Sequence, residues 1–315
     1  MGRRRKGEAV SGWIVLDKPI NLGSTQAVGR VRRAFNAQKA GHAGTLDPLA
    51  TGVLPIALGE ATKTVPFLMD DDKAYRFTIA WGIETASFDR EGVVTATSDV
   101  RRSTEAVAEA LKAFVGEIDQ VPPAFSAIKV AGERAYDLAR EGVAVNLAAR
   151  KVTIHQAAVT GTPDADHTEI EIVCGKGTYV RALARDLAAA LGAHAHVSAL
   201  RRTRVGPFGE DRAVTLEFVQ GLCDRGAGLE VLLPVETALD DIPALAVTTE
   251  DAFRLSQGRP IVLLPRQVET LKARLSSPSG TGYASRIVLA THGGSAVSIC
   301  EVRAGQLRPT RVFNL

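Results

Sequence analysis

Cysteine is scarce in this chain of 315 residues: there are three, and Cys174, Cys223 and Cys300 stand far apart and odd in number. Such a set excludes a disulfide framework and offers no tetrahedral metal site, so reduced, buried thiols are expected. Long apolar runs are missing as well. No stretch reaches the roughly 20 residues that a membrane span requires, and the basic opening Arg3-Arg4-Arg5-Lys6 leads into no greasy signal segment before residues 13–16. Lys6 also stands where a myristoylation pattern needs Ser or Thr. These absences predict a soluble cytoplasmic protein with no membrane partner. A large charge excess is absent too, at a net +3. The cations are nevertheless grouped, in Arg3 to Lys6, in Arg30, Arg32, Arg33 and Lys39, and in Arg201, Arg202 and Arg204. Any one group fits a solvated face, whereas three near the motifs described next point towards a polyanion such as nucleic acid.

What is present is enough apolar residue, 45%, to build cores for two domains of ordinary size. Gly12 to Asp17 reads as a short buried strand, followed by a helix that Ser24 or Thr25 can cap and whose Val28, Val31 and Phe35 share one face. Lys73 to Gly82 alternates, with Tyr75, Phe77, Ile79 and Trp81 on one side, which predicts a half-buried strand. A capped helix is expected from Ser103 to Val115, strands from Lys151 to Thr160 and Thr168 to Cys174, and a helix from Tyr179 to Leu191. In that helix Arg181 and Arg185 leave the apolar stripe together. Strands and helices mix without a strict βαβ rhythm, so the expected class is α+β with a mixed sheet. Beyond a junction at Pro234 to Pro243, one short helix (Thr248 to Gln257) and short strands separated by Gly, Ser and Pro predict a small β-rich domain, with Ser276 to Gly282 as a loop.

The segment Gly41-His42-Ala43-Gly44-Thr45-Leu46-Asp47-Pro48-Leu49-Ala50-Thr51-Gly52-Val53-Leu54-Pro55 holds a single carboxylate in an almost chargeless loop. Its glycines admit backbone geometry closed to other residues, and Pro48 restricts Asp47 to extended angles. Taken alone, the window is explained better by an ordinary Asp-Pro turn. Its company changes that balance. Asp17-Lys18-Pro19, Lys73-Ala74-Tyr75-Arg76, Gly177-Thr178-Tyr179-Val180-Arg181 and Leu200-Arg201-Arg202-Thr203 all combine rigid backbone with polar groups.

With these segments, and with Pro122-Pro123-Ala124-Phe125-Ser126-Ala127-Ile128-Lys129-Val130 and Gly132-Glu133-Arg134-Ala135-Tyr136, the chain closely resembles the bacterial TruB family of tRNA pseudouridine-55 synthases. The resemblance is strong from Trp13 to about Pro234 and weaker beyond. One departure is visible: Asn21 and Gly23 stand where the family usually continues the Lys-Pro motif with Gly and then Thr or Ser. The resemblance implies a pseudouridine synthase catalytic core over residues 12–240, with an RNA-gripping insertion at about 124–150, a basic arm over 1–11 and a PUA-like C-terminal β-barrel over 244–315.

The implied reaction breaks the bond from ribose C1′ to base N1, turns the base, and joins C1′ to C5. It consumes neither water nor electrons, so no cofactor and no metal are expected, and no dinucleotide glycine fingerprint or Walker loop is present. The family assigns the carboxylate at the ribose to Asp47, acting either as nucleophile at C1′ or as base at C2′. Arg181 would keep that carboxylate ionised, since burial alone raises its pKa. Tyr75 matches the tyrosine that packs on the target base, although periodicity by itself makes it a core aromatic. The uridine must be extruded from a folded T-arm at roughly a few kcal/mol, and His42 matches the residue that fills the vacated stack.

Lys18, Pro19, Tyr179, Leu200 and Arg202 are implied to contact substrate or shape its pocket, and Lys129 and Arg134 to grip the outside of the T-loop. His194 and His196 lack a third ligand and are read as structural. The expected partner is tRNA, through its T-arm and acceptor stem, with the enzyme acting as a monomer and without guide RNA. The rival reading is a noncatalytic tRNA-binding or tRNA-folding protein that uses the same surfaces.

Overall fold

A computed structural model of the protein describes residues 7–126, 128–130, 132–143, 145–275 and 286–315. The basic arm at residues 3–6, Ala127 and the loop 276–282 lie outside these residues, as do the side chains of Lys129, Arg134 and Arg140. By their contacts, the residues form two compact units, Pro48–Gly52 with Asp72–Val205, and Met1–Asp47 with Val53–Asp71 and Gly206–Leu315.

Alternation builds the first of these units. In the strand Lys73–Trp81, Phe77, Ile79 and Trp81 are buried and Tyr75 is half-buried on one face, while Arg76 is exposed on the other and pairs with Glu171 at 2.7 Å. The strand lies between Ala195–Val205 and His167–Cys174, and Arg150–Asp164 and Gly116–Gln120 continue the sheet, each antiparallel to its neighbour. Thr51 and Gly52 pair parallel with Arg201 and Arg202, so the sheet is mixed, as expected.

The expected helices form at Thr104–Lys112 and Val180–Ala190. Val107 and Leu111 from one, and Val180, Leu183, Ala184 and Leu187 from the other, close the core over Phe77, Ile79, Ile154, Ile170 and Ile172. Full burial of one such aliphatic side chain stabilises by about 1.5–3 kcal/mol. In the region of the expected insertion, Lys129–Val130 and Glu133–Arg134 form a two-stranded ladder that leads into the helix Ala135–Arg140.

In the second unit, the buried strands Gly12–Lys18 and Thr51–Leu58 are neighbours, and Ala40–His42 pairs antiparallel with the latter. The segment Gly41 to Pro55 is therefore not one loop: strands take its two ends and leave residues 43–50 between them. Pro55 is compatible with its strand because only its N–H is missing, and its carbonyl accepts from the Ala43 amide at 3.0 Å. The helix Ser24–Ala34 forms as expected, but its cap is Gly23 rather than Ser24 or Thr25. Gln26 Oε1 accepts from the Gly23 amide at 3.3 Å, which satisfies one of the first-turn donors.

The C-terminal sheet, curled as a half-barrel, runs in the order Ala244–Ala246, Ile287–His292, Ser295–Arg303, Gln306–Val312 and Ile261–Val262. Its core of Leu255, Leu263, Leu271, Val288 and Leu307 includes a residue from a helix the sequence did not disclose, Pro265–Leu275. Among the described residues, no helix is long and apolar enough to cross a membrane.

Candidate active site

Lys18 ends its strand fully buried, and its ammonium group donates to the carbonyls of Pro19 at 2.9 Å and Leu22 at 2.7 Å. These bonds close the turn between strand and helix. The departure at Asn21 costs this turn little, because Asn21 takes the left-handed conformation, at φ 62°, which asparagine tolerates better than other non-glycine residues. Gly23 is extended at φ −72° and uses none of glycine's extra freedom.

The helix that follows reaches back to the Asp47 loop. The buried Ser24 hydroxyl accepts from the Leu46 amide at 2.8 Å and donates to the Leu46 carbonyl at 2.9 Å. Ser24, two residues beyond the Leu22 carbonyl that Lys18 holds, thus bonds to the residue that precedes the half-buried Asp47. His42 is half-buried in its short strand, opposite Ile56.

In the other unit, Tyr75 sits between Ile172 on one neighbouring strand and Arg202 on the other. Its phenol ring borders the core, so a packing role and an active-site role are compatible. Arg202 is only 1% exposed, so its charge is turned away from solvent. Leu200 is half-buried, lies opposite Phe77 and packs on the core.

Arg181, in the first turn of its helix, is buried with its guanidinium donating to Ser87 O at 2.9 Å and Phe125 O at 2.8 Å. Asp89 Oδ2 lies 3.6 Å from it. Sequence reasoning missed Asp89. A turn holds it in place: Phe88 is left-handed at φ 58°, and Asp89 Oδ1 accepts from Ser87 Oγ and from the Glu91 amide. Asp89-Arg90-Glu91 forms an Asx turn, but nothing local announces a cation 92 residues away.

The helix start is fixed by a second residue that was missed, the fully buried Gln120. Its amide accepts from the Tyr179 N–H at 2.8 Å and donates to the Tyr179 carbonyl at 3.2 Å, doing for this helix what a side-chain cap would do. The Arg150 guanidinium lies 4.8 Å from the Tyr179 ring centroid and donates to Gly177 O. Tyr179 and Arg181 are therefore set on a rigid elbow.

The thiols are poor nucleophiles, because burial pushes Cys174 and Cys300 each up to about 11 and raises Cys223 as well. His194 faces Glu84 at 3.2 Å and His196 faces the Ile83 carbonyl at 2.9 Å, contacts that fit structural histidines. Among the described residues, no three His, Cys, Asp or Glu side chains are grouped to hold a metal ion.

Comparison with solved structures shows a shared fold. The fold matches a chain in the crystal structure of a Cbf5-Nop10-Gar1 complex at TM-score 0.72 and 24% identity, over 96% of this chain and 85% of the other. It matches a chain in the structure of an H/ACA RNP bound to a substrate RNA containing 2′-deoxyuridine at TM-score 0.72 and 21% identity, over 100% and 92% of the two chains. What is shared is the fold, a mixed-sheet core with a C-terminal half-barrel.

Sequence comparison is more specific. Residues 32–180 match the TruB family pseudouridylate synthase (N terminal domain), and residues 181–240 the tRNA pseudouridylate synthase B C-terminal domain. The tRNA pseudouridine synthase B of Caulobacter sp. (strain K31) is 67% identical over 315 residues, the whole of both chains. That of Bradyrhizobium diazoefficiens is 54% identical over 317 aligned positions, covering 99% of this chain and 88% of the relative. The chain belongs to the TruB family of pseudouridylate synthases.

Proposed function

We propose that this protein converts uridine 55 in the T-arm of tRNA to pseudouridine, as a cytoplasmic monomer that needs neither guide RNA nor cofactor. The observation that carries this reading is the anchorage of the Asp47 loop, in which one buried hydroxyl holds the peptide groups leading into a half-buried carboxylate. Full-length identity of 67% to a tRNA pseudouridine synthase B supports the substrate class.

In this reading the target uridine leaves the stack, its place is taken by His42, and its base packs on Tyr75 beside Leu200. Asp47 acts at the ribose. As a nucleophile it adds to C1′ while the N1 bond breaks; as a base it takes the C2′ proton and leaves a glycal. In either route the free base turns and C5 bonds to C1′ as the bond from Asp47 to C1′ breaks or the C2′ proton returns; C5 gives up its proton and N1 takes one up, so that atoms and electrons balance without a co-reactant. Arg181 supplies a positive charge whose direction is fixed by two carbonyls and Asp89. Lys18, Pro19 and Tyr179 shape the pocket wall, Arg202 stiffens the strand behind Tyr75, and Lys129 and Arg134 grip the T-loop. The C-terminal half-barrel meets the acceptor stem, so affinity weakens with salt.

Base-resolution mapping of a tRNA transcript treated with this protein alone tests the reading. Pseudouridine at position 55 is expected. Tight binding with every uridine unchanged would establish the noncatalytic tRNA-folding alternative instead, and activity only with an added guide RNA would overturn the stand-alone assignment.

A further inference from the structure

Ser24 opens a helix, is 4% exposed, and makes no capping bond to that helix. Its hydroxyl is committed entirely to Leu46, 22 residues away, as acceptor from the amide at 2.8 Å and donor to the carbonyl at 2.9 Å. We propose that Ser24 is a positioning residue for the reaction, which aims the Asp47 carboxylate by fixing the peptide that precedes it.

The geometry gives the reason. The N–H and C=O of one residue point to the same side only when that residue is extended, so a single hydroxyl bonded to both fixes the backbone angles of Leu46. The Leu46 carbonyl belongs to the peptide that contains the Asp47 nitrogen, and a peptide is planar. Two bonds from Ser24 therefore set the plane on which Asp47 begins, and Pro48 restricts the angle at which it ends. Between a pinned peptide and a proline, the point from which the Asp47 side chain leaves the backbone is set. The Leu46 side chain, 4% exposed, anchors the same point by packing. A hydroxyl suits this task because it offers one donor and two acceptor lone pairs on one atom, and the bonds are buried where water does not compete.

The inference rests on the reading of Asp47 as the reacting carboxylate. The test compares Ser24→Ala, Ser24→Thr and Asp47→Asn with the native protein in single-turnover pseudouridine formation on a tRNA transcript, alongside tRNA affinity and melting temperature. Because a misplacement of about 1 Å costs on the order of 100-fold in rate, Ser24→Ala is expected to lose about 10- to 100-fold while tRNA affinity stays within about threefold. Ser24→Thr keeps the hydroxyl and is expected to recover a rate within about threefold of native.

A native rate in Ser24→Ala beside an inactive Asp47→Asn would overturn the positioning role and leave the role of Asp47 intact. The same holds if Ser24→Ala loses rate and affinity in proportion, or if Ser24→Thr fails to restore the rate, since either marks Ser24 as merely structural. Full turnover by Asp47→Asn would remove the reading of Asp47 and the positioning role together.

Discussion

Two residues of opposite charge illustrate two kinds of restraint. Asp47 is restrained through its backbone, by Ser24 before it and Pro48 after it, in a loop between strands. Arg181 is restrained through its own side chain, which spends donors on Ser87 O and Phe125 O beside Asp89, and stands on a helix whose start Gln120 clamps. The difference teaches where each can be disturbed. A carboxylate aimed by its backbone is sensitive to the residues that hold the chain. A guanidinium aimed by its donors is sensitive to the loss of those donors, and to the buried acceptors left behind.

The sharpest way to break the comparison is Asp47→Asn, which keeps size and backbone while removing the charge. The turnover rate is expected to fall by about a thousandfold or more, with tRNA affinity within a few-fold, as measured by quench and filter binding. Arg181→Met comes next. It is expected to lower the rate by about 100-fold and, unlike the aspartate change, to lower the melting temperature, because the half-buried Asp89 and two carbonyls lose their cation. Equal melting temperatures for the two variants would contradict the contrast.

Gln120→Ala tests the clamp without touching either charge. It takes the acceptor from the Tyr179 N–H, while the Tyr179 carbonyl keeps its bond from the Leu183 amide, which is expected to destabilise by about 1–3 kcal/mol in denaturant unfolding and to slow turnover by about tenfold. The smallest effect expected is in thiol labelling. Cys174 and Cys300 have pKa values raised to about 11 by burial, so at pH 8 both remain thiols and unreactive in the native state; reactivity rises only as the pH approaches that value. The less buried Cys223 should be labelled first, with activity unchanged, as mass spectrometry after brief alkylation would reveal.

Periodic features were legible in the sequence because their cause is local. The strand Lys73–Trp81 and the helix Val180–Ala190 each advertise a buried face at their own period, and both lie within a residue of where that period places them. The TruB motifs likewise stand in the chain, apart from the departure at Asn21 and Gly23. What escaped depends on partners distant in sequence. The Ser24 hydroxyl looks like a cap because capping is what serines near helix starts usually do, and only the fold brings Leu46 to it. Gln120 and Asp89 are unremarkable polar residues until the sheet sets them against Tyr179 and Arg181. Arg202 looks like a solvent-facing cation in an arginine run, yet strand alternation turns it inward. The helix Pro265–Leu275 was missed because Val268, Leu271 and Leu275 form a sparse stripe that few apolar neighbours reinforce.

Gly52 lies at the far end of the Asp47 loop, left-handed at φ 97°, with the Arg202 carbonyl oxygen where a side chain would begin. Under selection for turnover in a randomised library, position 52 should return glycine alone, because every other residue would wedge the parallel strand pair apart. Position 24 should return serine and threonine. The spacing between such intolerant positions would then measure how far along the chain the aim of a single carboxylate is set.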